Sequence, residues 1–237
     1  LNGGKEVLIC GAPCQIAGLY SFLNKNYENL TTINFICLGV CSSLVFHKYL
    51  EMLENKYKSK ITNVKFKSKK YGWNRFSLLI NFKNGQEQCL DRWSDPFFIG
   101  YLQKKYFTRK SCYNCQWKKL PYQADITLGD FWGIGDADPT MEHDKGTSVV
   151  MLNTPHGVEI FDSLIQEKSI TAKQFTIYDI NKKNPALFGS ISSSQMHNRE
   201  RFFEDISKNN FSKIIEKCSL KPSNHVATKI RQTINRI

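Results

Sequence analysis

Apolar and polar positions along this chain fall into short blocks that read as strands and helices in alternation. Residues 6–10 are apolar enough for a buried strand. After the tight turn Gly11-Ala12-Pro13-Cys14, the positions Ile16, Leu19, Phe22 and Leu23 share one face of a helix from Gln15 to about Lys25. Residues 31–37 read as a second strand, ending in Cys37-Leu38-Gly39-Val40-Cys41-Ser42. A second helix follows from Ser43, with Val45, Phe46, Tyr49, Leu50 and Leu53 as its apolar stripe. The same unit therefore occurs twice: strand, cysteine-bearing glycine turn, helix. Successive units of this kind set neighbouring strands parallel and bring both turns to the carboxyl edge of the sheet, where ligands bind.

Further along, residues 61–67 predict a strand and Lys67 to Trp73 a basic glycine turn. Arg75 to Phe82 and Gln86 to Leu90 flank Lys83-Asn84-Gly85, a turn that suits a β-hairpin, with Cys89 packed inside it. Asp95 to Gln103 suggests a helix. Residues 124–130 predict a strand ending in Gly129-Asp130, and residues 136–144 an acidic loop without calcium-loop spacing. Residues 147–152 predict another strand. Thr154-Pro155-His156-Gly157 then opens a helix with Val158, Phe161, Leu164 and Ile165 inward. Residues 181–198 read as a polar, Ser-rich loop, and residues 199–206 and 211–217 as short helices. The expected fold is α/β, a mixed sheet with strand–Cys turn–helix units and flanking helices. The expected division is a domain over residues 1–205 and a basic helical tail over 206–237.

Composition narrows the class. The chain has 237 residues, 41% hydrophobic and 13% aromatic, which sets aside disordered, collagen-like and membrane proteins. No apolar run approaches the ~20 residues of a membrane span. The start lacks the basic and apolar regions of an export signal, so a cytoplasmic setting is expected. It also lacks an initiator Met and runs at once into a strand, which reads as a cut through a longer protein. The net charge of +12 is uneven. Residues 56–119 carry 16 Lys/Arg and 3 Asp/Glu, and residues 208–237 carry 7 and 1. Such blocks attract an anion or form a solvated lysine-rich face.

Eight cysteines are many for a chain without an export signal, and point to metal or redox use rather than disulfides. Cys112 and Cys115 form a Cys-x-x-Cys pair, whose sulfurs a tight turn brings to one metal or cluster iron. Cys14 and Cys37 stand in the strand-end turns, and the four make a coherent set. Four thiolates suit a structural zinc or an iron–sulfur cluster. Two lone, distant ligands fit a cluster better than the paired spacing usual for zinc. His47, on the second helix, reads as a surface or packed residue. Phosphate-binding Gly-rich loops and a Ser/His/Asp grouping are absent from the sequence.

Several stretches together resemble the coenzyme F-420 hydrogenase/dehydrogenase beta-subunit family over roughly residues 3–205. Gly11-Ala12-Pro13-Cys14-Gln15 resembles its Gly-Thr-Pro-Cys-Gln motif, and Cys37-Leu38-Gly39-Val40 its Cys-His-Gly-Val turn. Lys67 to Trp73 resembles its Arg-Asp-Lys-x-x-Gly-Trp segment. The Cys112/Cys115 loop, Asp125 to Gly133 and Lys145-Gly146-Thr147-Ser148 follow in the family's order. Ala12, Leu38, Cys41 and Lys67 depart from the pattern, and Cys10 and Cys41 are extra thiols. The resemblance implies an iron–sulfur flavoprotein that passes electrons between a 4Fe–4S cluster, FAD and an organic hydride carrier. Ferredoxin or another electron-transfer subunit would be its partner. Cys14, Cys37, Cys112 and Cys115 would ligate the cluster. Lys69, by charge, and Asp130 and Trp132, by position, are candidates for the cofactor pocket. Two alternatives stand beside this. One is a zinc-stabilised module that binds nucleic acid through basic residues interleaved with Trp73, Trp93 and Trp117, which ranks behind the redox reading. The other is an accessory reductase of polysaccharide biosynthesis.

Overall fold

The computed structural model describes residues 1–184, Leu187 and residues 193–222. In chain order the strands are β1 (Val7–Gly11), β2 (Leu30–Phe35), β3 (Ile61–Ser68), β4 (Ser77–Phe82), β5 (Glu87–Asp91), β6 (Ile126–Asp130) and β7 (Ser148–Leu152). The helices are α1 (Pro13–Leu23), α2 (Ser43–Tyr57), α3 (Pro96–Phe98), α4 (Lys110–Tyr113), α5 (Ile134–Ala137), α6 (Pro155–Gln166), α7 (Ile177–Asn181), α8 (Ser193–Lys208) and α9 (Phe211–Lys217). The chain divides into two units. Leu1–Leu38 and Cys115–Ser190 form the first, Gly39–Asn114 and Ile191–Ile237 the second. The expected basic tail lies outside the described residues from position 223 onward.

The first unit is built on a mixed sheet in the order β1-β2-β6-β7. β1 pairs parallel with β2 and β2 parallel with β6, while β7 closes the sheet antiparallel to β6. The register sets Gly11 beside Asn34 and Asn34 beside Thr127, so the strand ends carrying the two cysteine turns share the carboxyl edge, as expected. α1 packs Ile16 and Ala17 into the core. Its first turn has no side-chain cap. Instead the Gln15 side chain accepts a bond from the Ala12 N–H at 2.8 Å.

The amino-terminal edge of this sheet is held by Asp125, 7% exposed. Its carboxylate accepts from the Thr32 N–H at 2.8 Å, the Thr32 hydroxyl at 2.7 Å and the Thr154 hydroxyl at 2.6 Å. Thr154 in turn caps α6 by accepting from the Gly157 N–H at 3.1 Å. One side chain thus ties β2, β6 and α6 together. Gly157 is pressed so near that a Cβ there would meet the Asp125 carbonyl oxygen at 2.4 Å. Thr31 and His156 add a contact at 3.0 Å from the neighbouring position.

The second unit is an antiparallel sheet, β3-β4-β5, with α2, α8 and α9. The hairpin of β4 and β5 turns at Gly85, whose φ of +83° is the left-handed conformation that glycine adopts without strain. An aromatic core fills this unit. Phe97 stacks within 5.4 Å of Tyr49 and 5.1 Å of Phe107, and Phe107 lies 5.2 Å from Phe202. The helix expected over Asp95 to Gln103 is a turn of α-helix followed by a π-helical turn, Ile99–Gln103. The wider turn lets Gly100 meet the Phe107 ring, where any Cβ would stand 2.1 Å away. One further expectation is corrected. Part of the supposed loop over residues 181–198 is helical, since α8 begins at Ser193 rather than Arg199. α2 belongs to the second unit, where it packs with α9.

Asp95 caps α3 from full burial. It accepts from the N–H groups of Phe97 and Phe98 at 2.9 and 3.1 Å, and from the Tyr49 hydroxyl at 2.7 Å. Burial outweighs these bonds and raises its carboxyl from 3.8 to about 6. The folded chain therefore holds this proton more tightly than the unfolded one. The stabilisation is complete below the unfolded value and disappears as pH rises through about 6. The gap corresponds to about 3 kcal/mol. Urea unfolding of wild type and Asp95→Asn at about pH 4 and about pH 6.5 should show the wild type losing about 2 kcal/mol more stability than the variant, since pH 4 already lies just above the unfolded value.

Candidate functional site

The predicted ligands sit where chain direction places them. Cys14 is the second residue of α1 and is exposed, at the corner where β1 becomes helix. Cys37 follows β2 by two residues and is half-buried. Asp130 ends β6, paired with Ser148, and Trp132 follows, its N–H donating to the Asp130 carbonyl at 3.1 Å. All four lie in the first unit at the carboxyl ends of the parallel strands. Cys115, exposed, is the residue at which the chain re-enters this unit.

Cys112 belongs to the second unit, half-buried in α4. That short helix is anchored by Tyr113, 3% exposed, whose hydroxyl donates to the Lys105 carbonyl. Gly39 lies against it with φ +95°. A Cβ at Gly39 would stand 2.6 Å from the Thr108 methyl and 3.2 Å from the Cys112 Cβ. The backbone oxygen of Gly39 accepts from the Tyr101 hydroxyl at 2.5 Å. Only glycine fits this spot, both for its backbone and for the space. Lys69 is also in the second unit, exposed beyond β3, its carbonyl accepting from Gly72 at 2.9 Å. The three residues expected around a flavin are thus divided between the units.

The remaining cysteines are less suited. Cys41 is half-buried, bridges to Thr108 in a strand-like contact, and burial pushes its thiol up against the pull of Arg109. Burial raises the thiols of Cys89 and Cys218 as well. Cys10 is exposed on β1, beside Ile33.

Two residues that sequence reasoning passed over lie beside the predicted ligands. Tyr122 is 3% exposed and its hydroxyl has no hydrogen-bond partner among the described residues. Burial, with the thiols of Cys37 and Cys115 nearby, pushes its phenol up to about 12. Thr108 is fully buried, and its hydroxyl is likewise unpartnered. Buried hydroxyls in that condition are rare and costly. Among the described residues no group of three or more His, Cys, Asp or Glu stands ready to hold a metal ion. Thiolate sulfur is the donor type that an iron–sulfur cluster takes, and Cys14 and Cys37 are offered from neighbouring parallel strands.

A groove of about 1070 Å³ opens elsewhere, at the amino-terminal edge of the first sheet, lined in part by Tyr20, Tyr27, Trp117, Asp125 and His156. It contains no thiol. The Cys14 and Cys37 turns lie at the opposite, carboxyl edge of the same sheet.

Compared with known proteins, residues 4–177 match the family described as the C terminus of the coenzyme F420 hydrogenase/dehydrogenase beta subunit. No curated protein matches the chain.

Proposed function

The chain belongs to the family formed by the C-terminal part of coenzyme F420 hydrogenase/dehydrogenase beta subunits, and from that premise we propose a redox domain that carries electrons through a 4Fe–4S cluster. An oxidoreductase-type role is what the family implies. The cluster and its ligands Cys14, Cys37, Cys112 and Cys115 are our reading. The observation that carries it is the parallel pairing of β1 and β2, which brings the Cys14 and Cys37 turns to one edge of the sheet. Bound there, a cluster would accept and release single electrons, and a flavin would match those to the two electrons of an organic hydride carrier.

The protein's own contribution is placement. In the first unit the carboxyl ends of β1 and β2 carry Cys14 and Cys37 at one sheet edge, and in the second unit α4, pinned by Tyr113, holds Cys112. Asp130 and Trp132 remain candidates for the cofactor wall at the first edge, and Lys69 for an anionic group in the second unit. Lys58, Lys65 and Lys83 are exposed in the second unit and offer a positive surface to an acidic electron carrier of the ferredoxin type.

The intact protein, purified without oxygen, is expected to carry about four irons and about four acid-labile sulfides per chain, with flavin in addition. Zinc without iron or sulfide would overturn the reading in favour of a structural metal module. Iron and sulfide with no turnover of any deazaflavin donor would keep the cluster and move the substrate elsewhere.

A further inference from the structure

The groove at the amino-terminal edge of the first sheet has no part in the cluster reading, and every residue that lines it belongs to the first unit. Its walls come from α1, the loop between α1 and β2, the segment before β6 and the first turns of α6. Its volume of about 1070 Å³ and its open mouth suit an elongated small molecule. Three aromatic residues face this space, Tyr20, Tyr27 and Trp117, and Trp117 is 38% exposed. Three carboxylates line it too. Glu28 and Glu159 are exposed and form no ion pair among the described residues. Asp125 is engaged by Thr32 and Thr154, which hold it in its charged form. A chain with a net charge of +12 thus lines this concave site with three carboxylates and a single lysine, Lys25. His156, also in the wall, contacts the Thr31 side chain at 3.0 Å. The lysine shows what the rings accept: its Nζ stands over the Tyr27 ring, 4.5 Å from the centroid.

We propose that this groove binds alkylammonium groups carried by a small linear polyamine, with Glu28 and Glu159 as counter-charges and Tyr27 and Trp117 as the ring faces. Carboxylates gathered in a concave site repel a phosphate-bearing ligand and concentrate cations. A neutral polyol would leave the two unpaired carboxylates without a counter-charge. An ammonium uses both kinds of wall at once, since it pairs with a carboxylate and is drawn to the face of a ring. Lys25 is then an internal competitor, whose own ammonium covers a ring that a ligand amine would take. The site is independent of the cluster, so it stands or falls whether or not the protein carries iron.

The test is isothermal titration calorimetry of the intact protein with spermidine, at low and high salt. Spermidine should bind at a single site and weaken as salt rises. Trp117→Ala should weaken it about tenfold. Glu28→Gln combined with Glu159→Gln should weaken it by about tenfold as well and flatten the salt dependence. Lys25→Gln removes the competitor and should tighten binding about threefold. A merely structural role for these residues would not produce that gain. The altered side chains are exposed, so each variant should melt as wild type does. Should Trp117→Ala not fold, the carboxamide pair and Lys25→Gln decide. Wild type that does not bind spermidine overturns the proposal. So does an affinity unchanged in Trp117→Ala and in the carboxamide pair, which would place the amine elsewhere. Trilysine bound more tightly than spermidine, with the same dependence on Trp117, would replace the small amine by a basic peptide. Methyl glucoside bound through Trp117 where spermidine is not would replace it by a neutral polyol.

Discussion

Serine in place of Cys37 or Cys115 is expected to lower bound iron and acid-labile sulfide at least about tenfold in the intact protein, because a hydroxyl is a poor substitute for a thiolate at a cluster iron. These two cysteines are the sharpest test. They belong to one unit and share an influence on the buried Tyr122 ring. The controls come from the other thiols. Cys89 lies within β5, and Cys218 caps the end of α9. Burial raises both thiols, and serine there should leave iron content unchanged. Cys10 is the informative middle case. It is exposed on β1, four positions before Cys14, so serine at Cys10 should also leave iron intact. Iron retained at wild-type level in Cys37→Ser would remove that residue from the ligand set.

The largest effect on stability is expected from Asp125→Ala. The substitution deletes a carboxylate that accepts from the Thr32 N–H, the Thr32 hydroxyl and the Thr154 hydroxyl within 2.8 Å, and leaves the buried Thr32 N–H without that acceptor. Losses of this kind run to about 3–5 kcal/mol, a large part of the ~5–15 kcal/mol that holds a typical domain together. Burial alone would raise the Asp125 carboxyl. The bonds from Thr154 and Thr32, with His156 nearby, overrule it and hold it below its ordinary value. A depressed carboxyl stabilises above its unfolded value, and that help is lost as pH falls through the folded one. Denaturant unfolding at neutral pH should show the full deficit in Asp125→Ala, with the gap from wild type narrowing in acid. A variant as stable as wild type at neutral pH would show that the three bonds are dispensable.

Much of the first unit is legible in the chain. The glycine turns after residues 6–10 and 31–37 carry Cys14 and Cys37, and local turn chemistry suffices to place them at strand ends. The β4–β5 hairpin announces itself through Asn84-Gly85 for the same reason. What stays hidden depends on long-range contacts. Nothing in residues 38–42 signals that the chain leaves one unit after Leu38, or in residues 112–115 that it returns at Cys115. α8 reads short because its first turns are polar, and its buried stripe begins only at Phe202 and Ile206. Tyr122 and Thr108 give no signal at all, since an unpartnered hydroxyl is defined by what surrounds it in three dimensions. Gly39 is visible within the Cys37 turn, yet its contact with Cys112 spans more than seventy positions.

The close seat of Gly157 on the Asp125 carbonyl has a bearing on genetics. At 2.4 Å no other residue can replace this glycine without displacing the start of α6 from β6. A saturation screen scored only by cellular activity would therefore place position 157 among the most intolerant sites, in the same tier as the cysteines, although it lies at the thiol-free edge of the sheet. Normalising each clone to the amount of folded protein would split that tier. Gly157 would fall with the residues that decide abundance, and the cysteines would remain as those that decide what each molecule can do.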